Sequence, residues 1–169
     1  SEASALAAAG PEAELIMPKQ KNKGITCAVA LSPYIIKPEK VGRGCGRLAV
    51  IGIGPGSNDW RAPEATNEIA RATEGVGYKL YLDLLGPLIS GKNRYDYSLG
   101  EERDRVGEAL RLAAEGKEVA LISSGDPGIY AMACLVFELI EYGPLGNVKP
   151  EWQRIDVHVV PGISALQAA

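Results

Sequence analysis

The segment Leu48-Ala49-Val50-Ile51-Gly52-Ile53 carries no polar side chain and runs straight into Gly54-Pro55-Gly56. An unbroken apolar run of this length predicts a strand buried on both faces, as in parallel sheets covered by helices. Parallel strands cannot be joined by tight hairpins, so crossover segments must follow. The downstream sequence supplies them. Pro63 suits a first helical turn, and the spacing predicts a helix to about Thr73. Val76–Leu80 reads as the next strand and Leu82–Ile89 as a short helix or loop. Gly100–Glu115 carries Val106, Ala109, Leu110, Leu112 and Ala113 at helical spacing, and Gly116 stops it. Val119–Ile122 reads as a strand, Ile129–Tyr142 as an apolar helix ended by Gly143-Pro144, Gly146–Gln153 as a polar loop and Ile155–Val160 as a last strand. The alternation predicts an α/β fold: a parallel sheet with helices on both faces.

The stretch before Arg47 has another character. Residues 1–9 favour helix and Gly10-Pro11 breaks it. Leu15–Met17 and Ile25–Leu31 read as short strands around a polar turn, and residues 32–46, with Pro33, Pro38 and three glycines, read as a linker. The expected domains are therefore 1–31, 32–46 as linker, and 47–169. The chain opens without a methionine and closes on a helix barely begun at Ser164–Ala169, so we expect a piece of a longer polypeptide.

Bulk properties exclude several functions. A net charge of −3 gives no electrostatic footprint for nucleic acid. No apolar stretch approaches the ~20 residues that span a bilayer, and no signal peptide is visible. Cys27, Cys45 and Cys134 form neither a metal quartet nor a disulfide framework, which fits a reducing cytosol. No metal site is expected.

Ligands of open parallel sheets gather beyond the carboxyl ends of the strands, and three strand ends here carry unusual loops. In Gly52-Ile53-Gly54-Pro55-Gly56-Ser57, Ser57 stands where a dinucleotide fingerprint needs a third glycine, and Pro55 removes an N–H. This loop suits close packing against a ligand better than a pyrophosphate cradle; a plain tight turn is the alternative. In Ser123-Ser124-Gly125-Asp126-Pro127-Gly128-Ile129-Tyr130, an open backbone offers N–H and C=O groups to a ligand, or Asp126 caps the following helix. Val159-Val160-Pro161-Gly162-Ile163-Ser164-Ala165, taken alone, reads as a strand end and a capped helix.

Taken together, in this order and spacing, the three loops resemble those of the tetrapyrrole methylase family over about Arg47 to Ala169. Gly77-Tyr78-Lys79, Tyr81-Leu82-Asp83-Leu84 and Tyr130-Ala131-Met132-Ala133 make the chain look like the precorrin-3B C(17)-methyltransferase branch. The resemblance implies methyl transfer from S-adenosylmethionine to carbon 17 of precorrin-3B with ring contraction, giving precorrin-4 in cobalamin biosynthesis. It implies cofactor contacts at Pro55, Ser124, Gly125, Asp126, Ile129, Ser164 and Ala165, a tetrapyrrole substrate, a cytoplasmic homodimer, and a second α/β domain after Ala169 that completes the cleft. Several relatives carry aspartate where Lys79 stands, so no carboxylate role transfers there. Residues 1–31, especially Leu15–Lys21 and Thr26–Ala30, look like the end of a cobalt-precorrin-5A hydrolase C-terminal domain.

Other residues carry expectations of their own. Tyr78, Lys79, Tyr81 and Arg61 stand near where a substrate would rest, with core packing or solvation as the alternative. Arg43, Arg47 and Arg94 are further candidates for substrate carboxylates, because guanidinium forks suit them. His158, the single histidine, lies inside an apolar strand and reads as a sheet residue. Glu101–Arg105 reads as a solvated helix face, and Trp60 as a cleft cover or a packing residue. Two alternatives stay open: a nucleotide-dependent oxidoreductase of doubly wound fold, or a chain that binds cofactor weakly or not at all and does not turn over.

Overall fold

The computed structural model describes residues 14–16, 28–30, 46–129 and 132–169. The chain divides into two compact units, Ser1–Arg43 and Gly44–Ala169. In the first, β1 (Glu14–Ile16) pairs antiparallel with β2 (Ala28–Ala30), Leu15 opposite Val29. Both predicted strands are present, the first shifted by one residue and the second shortened. The predicted opening helix and linker lie outside the described residues, apart from Gly46.

The second unit is built on five parallel strands. They are β3 (Arg47–Gly52), β4 (Glu74–Tyr78), β5 (Asn93–Tyr97), β6 (Glu118–Ser123) and β7 (Asp156–Val160). Their order is β5-β4-β6-β3-β7. Crossovers run through α1 (Pro63–Arg71), α2 (Lys79–Leu84), α3 (Glu102–Ala114) and α4 (Met132–Tyr142), and a short α5 (Ala165–Ala168) follows β7. Successive side chains of a strand face opposite ways, and β3 sorts them accordingly. Leu48 and Val50 join Val106, Leu110, Val136 and Leu139 of α3 and α4 on one face. Ala49, Ile51 and Ile53 join Ala65, Ile69, Leu82 and Leu85 of α1, α2 and the following turn on the other. Helices therefore cover both faces, as the apolar run requires.

Four local expectations need correction. The strand predicted at Val76–Leu80 ends at Tyr78, and Lys79 and Leu80 begin α2. Leu82 is fully buried, and Lys79 pairs with Asp83 one helical turn on, so local side-chain pairing and core burial favour helix there. Strand β5 does not stand out in the sequence: Asn93-Arg94-Tyr95-Asp96-Tyr97 has no continuous apolar run, because this edge strand pairs with β4 alone and only Tyr95 and Tyr97 pack against the core. The loop at Gly146–Gln153 leads into a 3-10 turn at Trp152–Arg154. Trp152 there is 3% exposed in the core, with the Lys149 ammonium 4.5 Å from its ring centroid. Finally, Arg105 leaves the predicted solvated face: it is 4% exposed, and its Nε and Nη1 have no hydrogen-bond partner.

Among the described residues no helix is long and apolar enough to cross a membrane. No group of three or more His, Cys, Asp or Glu there is placed to hold a metal ion.

Candidate functional site

The sheet order decides the site. β6 and β7 flank β3, with Gly52 in register with Ser123 and Ile51 with Val160. Three loops far apart in sequence therefore leave adjacent strand ends on one edge of the sheet. They are joined through backbone. Gly125 N–H donates to the Gly54 carbonyl at 2.8 Å, and Gly54 N–H returns to the Gly125 carbonyl at 3.3 Å. Ile53 N–H donates to the Ser123 carbonyl at 2.9 Å.

Glycine is required where the loops meet. A Cβ on Gly162 would stand 2.1 Å from the Gly125 oxygen and 2.9 Å from Gly52 backbone. A Cβ on Gly52 would stand 2.4 Å from the same oxygen. Gly52 and Gly162 thus let three backbone segments meet around the Gly125 carbonyl, a use of glycine that no side chain permits. Gly54 and Gly125 also take positive φ, +68° and +60°.

Asp126 is the tie between the second and third loops. Its Oδ1 accepts the N–H of Gly128 at 2.7 Å, and its Oδ2 accepts the N–H of Gly162 at 3.2 Å. The carboxylate thus serves as a crosslink between loops. The bonds of Asp126 fall on Gly128 and Gly162, and α4 is described from Met132 onward. Ser164 is 7% exposed, and its N–H donates to Gln167 Oε1 at 3.0 Å, which closes the first turn of α5. Pro55, Ser124 and Ala165 are exposed, Gly125 is half-buried, and Ile129 is 48% exposed. These residues line an open surface with an apolar projection and accessible backbone. Tyr130 lies outside the described residues.

The structure separates the candidate arginines. Arg47 begins β3, at the opposite end of the sheet, and pairs with Glu68 and with Asp156 at 3.3 Å. The carboxylates around it raise its pKa, led by the Glu68 hydrogen bond. It does not face the loops. Arg94 is engaged by Asp83 at 2.6 Å and Asp96 at 2.5 Å. Arg43 lies outside the described residues. Arg61 remains: its Nε donates to Thr66 Oγ1 at 3.1 Å, and no ion pair engages its fork among the described residues. Trp60, beside it, is 43% exposed, and its carbonyl packs against Gly54.

Tyr78 ends β4 and Tyr81 lies in α2; their rings meet edge to face, 5.0 Å apart at 89°. Lys79 is exposed and donates to Asp83 Oδ2 at 2.9 Å. His158 sits within β7, and its Nε2 is 2.9 Å from Glu64 Oε1, a strand-to-helix contact consistent with a sheet residue. Sequence reasoning misses Leu84, which reaches the first loop: a Cβ at Gly56 would lie 3.2 Å from its Cδ1. The signal for it is the pair Leu80/Leu84, one turn apart and facing away from the buried Leu82.

Comparison with known proteins agrees with this geometry. Residues 47–169 match the family described as Tetrapyrrole (Corrin/Porphyrin) Methylases. The chain is 41% identical over 123 residues to a precorrin-3B C(17)-methyltransferase of a Sinorhizobium species, covering 73% of this chain and 46% of that protein. It is 39% identical over 123 residues to the cobalamin biosynthesis protein CobIJ of Mycobacterium tuberculosis, covering 73% and 22%. The crystal structure of the methyltransferase CobJ superposes with a TM-score of 0.66 at 40% identity, covering 73% of this chain and 49% of that one. A uroporphyrin-III C-methyl transferase of Thermus thermophilus, complexed with S-adenyl homocysteine, shares the fold with a TM-score of 0.52 at 23% identity, covering 73% and 47%. The chain thus spans less than half the length of these curated relatives. On its loops, its sheet order and these likenesses, the chain belongs to the tetrapyrrole methylase family.

Proposed function

We propose that residues 47–169 form one wall of an S-adenosylmethionine cleft in a methyltransferase acting on carbon 17 of precorrin-3B, with ring contraction to precorrin-4, in cobalamin biosynthesis. The observation that carries this reading is the fusion of three loops through Gly52, Gly125 and Gly162 on adjacent strand ends. Such a fused backbone surface is preorganised, and methyl transfer is an in-line displacement that depends on held geometry, worth up to ~7–11 kcal/mol in ideal cases. The residues fit the cofactor. It has no phosphate, so Pro55 costs nothing. The exposed Ile129 gives the adenine an apolar contact, and the open backbone at Ser124, Gly125 and Ala165 gives it hydrogen-bonding groups. Asp126 and Ser164 hold those groups in place. Bound there, the sulfonium supplies an activated methyl. Arg61, whose fork has no ion-pair partner among the described residues, would meet a substrate carboxylate, and Tyr78, Lys79 and Tyr81 stand on the β4 side of the same edge. A homodimeric, cytosolic enzyme belongs to the same reading, as does a second wall supplied by sequence outside this chain. So does the assignment of residues 1–31 to the end of a hydrolase domain.

The competing oxidoreductase reading meets two local objections. Ser57 caps a 3-10 turn at Asn58–Trp60, accepting the Asp59 N–H at 3.3 Å, and α1 begins only at Pro63. A pyrophosphate on the first loop would find no α-helix N-terminus directly behind it. β4 ends at Tyr78 and Lys79 follows it, with no acid there for a ribose.

The test is an amide chemical-shift titration of the chain with S-adenosylhomocysteine, sensitive to the millimolar affinity expected of a single wall. Shifts at Gly54, Gly125, Ile129 and Ala165, abolished by Gly125→Val, support the reading. An unmoved spectrum at millimolar ligand, or equal shifts with NAD, refutes it.

A further inference from the structure

Helix α2 has six residues and no side-chain N-cap, too little to hold its own shape. Two anchors fix it. Leu82 is fully buried and packs where Gly77 lacks a side chain: a Cβ there would stand 3.3 Å from Leu82 Cγ. On a flank of the helix, Lys79 and Asp83 pair across one turn, and Arg94 of β5 reaches both ends of the helix. Its Nη2 donates to the Lys79 carbonyl at 3.1 Å and to Asp83 Oδ1 at 2.6 Å, while Asp96 Oδ1 holds its Nε at 2.5 Å. Asp83 thus takes a cation on each oxygen. What this clamp orients is the wall beside the first loop. Leu84 approaches Gly56 closely enough that an added Cβ there would stand 3.2 Å from its Cδ1, and the Tyr78–Tyr81 pair flanks the start of α2.

We propose that Arg94 is a positioning residue: by clamping α2 to edge strand β5 it sets Leu84 near Gly56 and fixes the Tyr78–Tyr81 pair at the other end of α2, on the side where the tetrapyrrole is received. The substrate half of this statement rests on the function proposed above; the clamp does not. A lysine cannot replace the fork, because one ammonium on a flexible stem does not span a carbonyl and two carboxylates in fixed directions. The partners are largely exposed, with Asp83 at 45% and Asp96 at 42%, so the ion pairs add little to global stability. The role of Arg94 is therefore local geometry.

The full chain, labelled at tyrosine rings, tests this with Arg94→Gln and Arg94→Lys. Edge-to-face rings shift each other's ring resonances. Arg94→Gln should release those shifts for Tyr78 and Tyr81 while the methyl signals of Ile51 and Val160 stay in place, and Arg94→Lys should give an intermediate spectrum. Affinity for uroporphyrin III, a stable polycarboxylated tetrapyrrole, should fall about 3- to 30-fold in Arg94→Gln, the usual span for a residue acting through its neighbours. Affinity for S-adenosylhomocysteine should hold. Ring shifts that persist in Arg94→Gln overturn the clamp. Ring shifts that collapse while uroporphyrin affinity holds overturn the positioning role. A wild-type chain that binds S-adenosylhomocysteine but no uroporphyrin overturns the substrate reading, and the ring shifts still decide the clamp.

Discussion

Replacing Gly162 with alanine adds one methyl at the point where three main chains touch. The backbone at Gly162 does not have positive φ, so the cost is purely one of contact. The new Cβ would sit 2.1 Å from the Gly125 oxygen, more than an ångström inside ordinary contact, with Gly52 backbone 2.9 Å away on another side. Neither neighbour yields freely. The Gly125 carbonyl accepts from Gly54 N–H, and Gly162 N–H is held by Asp126. Overpacking costs about 1–3 kcal/mol, and loosening one of these hydrogen bonds adds roughly 1 kcal/mol. A loss of about 2–4 kcal/mol follows, which for a domain of this size lowers the melting temperature by roughly 10 °C. Thermal melts of wild type, Gly162→Ala and Gly107→Ala read it directly. Gly107 lies in α3, and a methyl added there would meet nothing within 4 Å, so Gly107→Ala should stabilise by about 0.5–1 kcal/mol through helix propensity. In the amide titration, Gly162→Ala should also weaken S-adenosylhomocysteine binding. A Gly162→Ala melt within two or three degrees of wild type (about 1 kcal/mol or less) would show that the loops yield, and would refute the idea of a rigid fused surface.

Asp126→Asn keeps the shape but turns one acceptor into a donor facing an N–H. It should cost about 1–3 kcal/mol and weaken cofactor binding, measured by melts and titration; an unchanged loop spectrum would contradict the crosslink. Arg105→Met should be neutral or stabilising in urea melts, because it removes two buried donors that have no partner while the Glu102 carboxylate it leaves, bound to Nη2 at 3.1 Å, is 40% exposed and can be hydrated; a loss of several kcal/mol would refute this. The Arg111 hydrogen bonds hold the Glu108 carboxyl below its usual value of 4.5. A depressed folded pKa gives stability that is full above the unfolded value and is lost as pH falls through the folded one. Arg111→Met should therefore flatten the acid limb of the stability–pH curve below about pH 4.5, by the few tenths of a kcal/mol typical of a helix pair.

How far the sequence reaches depends on which interactions fix each element. β3 and β6 are legible because burial on both faces leaves an unbroken apolar run. α3 is legible because one buried face leaves a helical period. β5 is not, since an edge strand pairs with β4 alone and only Tyr95 and Tyr97 pack against the core, too short an alternation to stand out. Trp152 looks like part of a polar loop because its neighbours are polar and only the packed core reveals it as buried. Arg105 and Arg103 are two positions apart on one helix, and nothing local says that the first turns inward.

The candidate site divides in the same way. Gly52, Gly54, Gly125, Asp126 and Gly162 can be named from composition at strand ends, because few other residues tolerate positive φ or close backbone approach. Their meeting cannot, because it depends on β6 and β7 choosing the two sides of β3, a non-local pairing settled by which apolar faces the helices cover. Nor can the sequence show that the carboxylate of Asp126 is spent on two backbone amides, or that Arg94 belongs to α2. By itself the sequence determined a buried parallel sheet and the glycine loops at its strand ends; the tertiary structure decided which loops touch and what holds them, because those contacts form only once distant strands lie side by side.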